Sequence, residues 1–135
     1  MPFPVDEIFI KQTEEKLGVE FPSSFKSKMM MDNGGELATE EDDWQLFPFF
    51  DSSDKKRLSR TANNILRETE VAKKWPNFPA NCVAIASNGA GDLLVFKRES
   101  PQAKKLEEVV YFWSHETGEL NKASSSFSEL NEVMG

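Results

Sequence analysis

Cys82-Val83-Ala84-Ile85-Ala86-Ser87-Asn88-Gly89-Ala90-Gly91-Asp92-Leu93-Leu94-Val95-Phe96-Lys97 reads as two apolar runs joined by a turn. The runs are short, rich in β-branched and aromatic side chains and almost without polar alternation. They predict strands over 83–86 and 93–97 that are covered on both faces. Asn88-Gly89-Ala90-Gly91 joins them as a hairpin, with glycine at the positions that strain other residues. A phosphate-cradling loop is the competing reading of those glycines. It is set aside because the spacing fits neither nucleotide-binding pattern and a strand follows where a helix would be needed. A third strand of the same kind is predicted over 109–113. Glu116-Thr117-Gly118-Glu119 then turns the chain toward a weaker strand near Leu120. The second half is therefore a sheet.

The first half is mostly helical. Asp6 is placed to cap a first helix, with Glu7 in its first turn. Ile10 and Leu17, with Ile8 and Phe9 nearby, give that helix a buried side, and Gly18 ends it. After an extended link through Pro22, a second helix starts at Ser23 or Ser24. It presents Phe25, Met29 and Met30 on one side and stops at Asp32-Asn33-Gly34-Gly35. The longest helix is predicted over 54–74. Leu58, Ala62, Ile65, Leu66, Thr69 and Ala72 face inward, Lys55, Lys56, Arg57, Arg60, Arg67, Lys73 and Lys74 face outward, and Pro76 and Pro79 close it. The outer bases read as a solvated helix face, since nearby acids cancel much of their field. Ser126-Phe127-Ser128-Glu129 has the pattern of a capping box, predicting a final helix from which Phe127, Leu130 and Met134 pack.

Charge is concentrated in one place. The chain carries 23 acids and 16 bases, a net of −7. Seven of those acids (Glu36, Glu40, Glu41, Asp42, Asp43, Asp51, Asp54) lie between residues 36 and 54 with no base among them, so the other 16 acids balance the 16 bases. A local negative field of this kind suits a basic protein surface and opposes nucleic acid or an anionic membrane. The neighbouring run Trp44-Gln45-Leu46-Phe47-Pro48-Phe49-Phe50 predicts a strand over 44–47. Pro48 makes it an edge strand or marks a bulge. Alternation sends about half of these aromatics inward, which leaves Trp44 or Phe49 as an exposed interface anchor.

The 135 residues suffice for one domain with one core. The single cysteine, Cys82, excludes an internal disulfide. The N-terminus has neither a basic nor an apolar leader region, and no apolar stretch nears the ~20 residues of a membrane span. A cytoplasmic protein is expected. Catalytic chemistry finds little material. His115 is the only histidine, so a multi-histidine metal site is excluded. A Cys82–His115 dyad would need a reactive thiol, yet Cys82 lies in an apolar strand. Glu40-Glu41-Asp42-Asp43 lacks the alternating oxygen ligands and glycine of a calcium loop. Neither metal nor cofactor is expected.

Five pieces occur in a telling order. Glu15-Lys16-Leu17-Gly18-Val19-Glu20-Phe21-Pro22-Ser23-Ser24-Phe25 is followed by Asn33-Gly34-Gly35 and a Trp44-containing strand. The hairpin Ile85-Ala86-Ser87-Asn88-Gly89-Ala90-Gly91-Asp92, the strand Val110-Tyr111-Phe112-Trp113-Ser114-His115 and the close Ser126-Phe127-Ser128-Glu129-Leu130 complete the series. The series resembles the SUKH superfamily, which includes bacterial immunity proteins and fungal regulators of cell-wall assembly. Phe25 departs from it, standing where Tyr is common. The resemblance implies a single α+β domain with a twisted, mostly antiparallel sheet of about five to six strands and helices packed around it. It marks Gly18, Pro22, Asn33, Gly34, Gly35, Asn88, Gly89, Gly91, Asp92 and Trp113 as structural positions. It also implies a non-enzymatic role. The expected partner is a cognate toxin domain, in the nuclease case one with a basic surface, met by Glu36, Glu40, Glu41, Asp42, Asp43 and an aromatic anchor. The alternative is an intracellular scaffold of the cell-wall-regulator type, and a minor alternative is a small-ligand or metal-dependent enzyme, for which an ordered ligand among Asn88, Asp92 and His115 would be the sign.

Overall fold

A strand buried along its length needs hydrogen-bonding partners on both sides, and the 82–87 segment obtains them in the middle of one large sheet. The computed structural model describes residues 3–39 and 42–132. In chain order the elements are α1 (Glu7–Leu17), α2 (Ser23–Met31), β1 (Gly35–Ala38), β2 (Asp43–Leu46), α3 (Lys55–Arg60), α4 (Ile65–Ala72), β3 (Cys82–Ser87), β4 (Leu93–Arg98), β5 (Leu106–Trp113), β6 (Leu120–Ser124), a 3-10 turn (Phe127–Glu129) and β7 (Asn131–Glu132). The sheet order is β6-β5-β4-β3-β2-β1-β7, with every neighbouring pair antiparallel. Six strands of four or more residues form its body, and the two-residue β7 closes against β1. The chain is thus a single α+β domain in which the hairpins β1–β2 and β3–β6 are joined through α3 and α4.

The central strand sets the packing. Cys82, Val83, Ala84, Ile85 and Ala86 are all buried. A bulge shifts the β3–β4 register between Ala84 and Ala86. The Ile85 carbonyl accepts from the Phe47 N–H at 2.8 Å. The Ala84 N–H donates to the hydroxyl of Thr69 on α4 at 3.0 Å. A helix side chain thereby supplies a bond that a straight ladder would have made. One side of the core is a cluster of rings around Phe25, whose centroid lies 4.9 Å from Phe127, 5.2 Å from Phe96, 5.4 Å from Phe21 and 5.8 Å from Phe49.

Five expectations change in detail. The strand at Trp44 is not an edge, because β2 lies between β3 and β1. Its pairing with β3 stops at Leu46↔Ala86, so Pro48 falls beyond the ladder and removes no bond from it. The Pro48 carbonyl instead accepts from the Ile65 N–H, a free donor of the first turn of α4, at 2.8 Å. The long helix is two helices. Asn64 breaks it by accepting from the Arg67 N–H at 2.9 Å as the cap of α4, while its amide donates to the Thr61 carbonyl at 3.0 Å. Asparagine competes with helix continuation through just such local bonds. Ile65, Thr69 and Ala72 face inward as expected, whereas Leu58 and Ala62 turn to solvent. On α1 and α2, Ile10, Phe25 and Met29 are buried, but Ile8 and Met30 are exposed. The expected final helix is a single turn. The Ser126 hydroxyl contacts that of Ser128 at 2.9 Å and makes no cap bond, and the chain leaves as β7 to pair with Leu37 and Ala38. Phe127 is buried as expected, and Met134 lies outside the described residues.

Replacing Thr69 with valine keeps the shape of this fully buried side chain but strands the Ala84 N–H. The expected loss is about 1–3 kcal/mol of unfolding free energy, read as a lower urea midpoint at unchanged slope.

Candidate functional site

Alternation along two short strands decides which acids meet water. In the β1–β2 hairpin Leu37 pairs with Trp44 and Glu36 with Gln45. Leu37, Trp44 and Leu46 point into the core, while Glu36, Asp43 and Gln45 are exposed on the other side. Asp42, just before β2, is exposed as well. No ion pair joins Glu36, Asp42 or Asp43 to a base among the described residues. Glu40 and Glu41 lie outside the described residues.

The other two acids of the segment serve the fold. Asp51 is buried, accepts from the Ser53 N–H at 2.9 Å and lies 3.8 Å from the Arg57 guanidinium. Asp54 caps α3 by accepting from the Arg57 N–H at 2.8 Å, and the Arg57 side chain meets it at 2.6 Å. These backbone and side-chain bonds from Arg57 hold the Asp54 carboxyl below its ordinary value. The outward field is therefore narrower than the run of seven acids suggested.

Neither proposed aromatic anchor reaches the surface. Trp44 is 1% exposed, donates its indole N–H to the Thr39 hydroxyl at 2.9 Å and meets the Phe112 ring edge-on at 5.4 Å. Its place on the inward register of β2 dictates this. Phe49 is fully buried, and Asn33 pins its backbone from both sides, with bonds of 2.8 and 2.9 Å. Asn33 thus ties the end of α2 to the chain leaving β2, which gives physical content to the Asn33-Gly34-Gly35 stop. Gly18 ends α1 with φ 68°, and Arg98 reaches over it to the carbonyls of Leu17 and Gly18 at 3.0 and 2.7 Å. Pro22 is buried immediately before α2.

Three hairpin tips meet at one end of the sheet. The Asn88 amide donates to Asp42 at 2.8 Å and to Asp92 at 3.2 Å, linking the β1–β2 tip to the β3–β4 tip. Asp92 meets His115 Nδ1 at 2.7 Å and the His115 backbone N–H at 3.1 Å, which links the β5–β6 tip. Gly89 and Gly91 sit in the intervening turn, and Gly91 has φ 105°. A Cβ at Gly91 would lie 3.0 Å from the His115 ring, so both backbone angle and space demand glycine there. The His115 ring packs edge-on against Trp75 at 6.0 Å, and Trp75 in turn meets Trp113 at 6.1 Å. Trp113 is buried and donates its indole N–H to the Asn77 carbonyl at 3.1 Å. Sequence reasoning placed Asn88, Asp92 and Trp113 as structural positions but did not see that they form one network with Asp42 and His115. The partners lie far apart in the chain, and only the strand order brings them together.

Cys82 is not placed to act as a nucleophile here. Cys82 is buried, and desolvation pushes its thiol up to about 12, which keeps it protonated. Its sulfur faces Asn81 at 3.8 Å, while the His115 ring is held by Asp92. Among the described residues no three His, Cys, Asp or Glu side chains group as metal ligands do. Among the same residues no helix is long and apolar enough to cross a membrane.

Burial alone would raise the Asp92 carboxyl, but the bonds from His115 and Asn88 outweigh it and hold it below its ordinary value of 3.8. A depressed carboxylate stabilises the folded state above its unfolded value and loses that contribution as pH falls through the folded one. Asp92→Asn is therefore expected to cost about 1 kcal/mol at neutral pH, with the gap to the parent protein closing below about pH 4 in urea titrations at stepped pH.

No curated protein matches the chain. The family model described as SMI1 / KNR4 family (SUKH-1) matches residues 4–132, which takes in every strand and helix described above. The helix stop at Asn33, the stitched glycine hairpin and the buried Trp113 all fall inside that match, and the chain belongs to the SMI1/KNR4 family (SUKH-1).

Proposed function

We propose that this protein is a non-enzymatic binding module of the immunity type, which acts in the cytoplasm by occupying a cognate toxin domain with a basic surface. The observation that carries the reading is the β1–β2 hairpin. One of its faces is fixed in the core through Leu37, Trp44 and Leu46, and the other offers Glu36 and Asp43 to water with no ion pair to a base among the described residues, with Asp42 beside them. A rigid surface of unneutralised carboxylates steers a cationic partner toward it and penalises anionic ones. A protein that grips nucleic acid carries such a cationic surface, so a nuclease domain is the toxin this field fits best. Inhibition on this reading is steric and electrostatic: about 800 Å² of the module covers the toxin's cleft, and no bond is made or broken.

The test is association of the purified chain with the basic domain encoded by the neighbouring reading frame. Reversing Glu36 and Asp43 together to lysine is expected to slow association about tenfold or more at low ionic strength, with the effect shrinking as salt rises. Asp54→Asn, which alters an acid already engaged by Arg57, serves as the control and is expected to leave the rate unchanged. An association rate indifferent to the double reversal at low salt would remove the electrostatic basis of this reading. Absence of any such basic neighbour that binds would favour a regulatory scaffold instead.

A further inference from the structure

We propose that Trp75, in the turn that follows α4, is the apolar anchor of the partner-binding surface, and that this surface is the rim of hairpin tips running from Trp75 to Asp42. The inference rests on the reading of the protein as a module for a basic protein partner, and it locates the contact.

Trp75 is 44% exposed, an unusual position for the largest side chain. It is also held firmly. Its ring stands perpendicular to those of Trp113 and His115, and Trp113 is itself wedged against Phe78 at 5.2 Å. Val71, in the last turn of α4, is 45% exposed as well and is a second apolar side chain turned to water near that end of the helix. A large amphipathic ring already fixed in place loses little conformational freedom on binding, which is why such residues concentrate interface energy. From Trp75 the rim continues through direct contacts to His115, Asp92, Asn88 and Asp42. A path of so few contacts falls within one footprint of about 800 Å².

Charge selects the occupant. The three tips carry exposed Asp42, Asp43 and Glu116 together with Asp92, against Lys73 and Lys74 at the end of α4. The fitting partner is a protein with an apolar pocket for Trp75, ringed by lysine or arginine on the side that meets Asp42. A second copy of the chain fits poorly, because a two-fold contact through this rim would set its acids against themselves.

Two arms test the proposal. In the first, the isotopically labelled chain is titrated with a synthetic peptide of alternating arginine and leucine, followed by NMR. Saturable shifts are expected at the Trp75 indole N–H and the His115 and Asp42 amides, and none with a glutamate–leucine peptide. Shifts confined to other surfaces, equal response to both peptides, or no response would overturn the assignment. In the second, binding to the basic domain from the neighbouring reading frame is compared across variants. Trp75→Ala is expected to weaken it about 30-fold or more, Val71→Lys about tenfold, and Trp75→Phe less than about fivefold. Val71→Lys keeps the test valid should Trp75→Ala disturb the fold. Parent-like affinity in both Trp75→Ala and Val71→Lys would overturn the anchor and leave the immunity reading standing. Failure of the parent chain to bind that domain would count against the immunity reading, and the peptide arm would then decide the surface. A dimer in sedimentation that dissolves on Val71→Lys would show a second copy as the occupant and overturn the proposal.

Discussion

The structure depends on one constraint: β3 lies in the interior from Cys82 to Ala86, so each of its backbone groups needs a partner supplied by the protein. On one side β4 supplies a nearly complete ladder. On the other, β2 pairs over only two residues before Pro48 takes the chain away. The gap is closed by the Phe47 N–H at Ile85 and by the Thr69 hydroxyl at Ala84. The position of α4 follows, because Thr69 must reach that point. The break before α4 is made by Asn64, which caps α4 through the Arg67 N–H and holds the Thr61 carbonyl. The Pro48 carbonyl, bonded to the Ile65 N–H, ties the departing chain to the start of the helix that covers the gap.

The same constraint orients the acids. A β2 strand held between β3 and β1 has its register fixed, and a register fixed by Trp44 and Leu46 inside puts Asp43 and Gln45 outside. Glu36 follows through its pairing with Gln45. The direction of the field is thus a consequence of core packing, not of the acids themselves. Asp51 and Asp54 show the contrast. They lie in the connection after β2, where Arg57 is within reach, and both are taken up by the start of α3.

Much of the fold was legible because it rests on local patterns. Apolar runs without alternation marked β3, β4 and β5, Gly18 marked the end of α1, and the glycines after Asn88 marked the hairpin. What was not legible depended on long-range pairing. Glu36-Leu37-Ala38 is too short and too acidic to announce a strand, and it forms one because β2 and β7 flank it. The capping-box pattern at Ser126 favoured a helix, but pairing with β1 draws the following residues into a strand instead. Pro48 suggested an edge strand or a bulge, although a proline just past the last ladder bond says nothing about what lies beside the strand. In the candidate site, the acids were visible as a composition and the proposed anchor was not. Trp44 and Phe49 stood beside the charge in sequence, whereas Trp75 stands beside it only in space, through His115, Asp92 and Asn88.

That separation between what builds the body and what faces solvent has a physical consequence. Glu36 and Asp43 project from a hairpin whose stability comes from Leu37, Trp44 and Leu46 on its opposite face, so changing the acids alters the field and leaves the packing alone. Asp42 is an intermediate case, because it accepts a long-range bond from Asn88, which also holds Asp92. Asn88, Asp92 and His115 have no such freedom, since each one fixes the position of another hairpin tip. The proposed binding surface can therefore be retuned at its outer carboxylates without loss of fold. The stitched tips beneath keep the spacing between those carboxylates and Trp75 constant, and a constant spacing is what allows charge and apolar contact to act on the same partner at once.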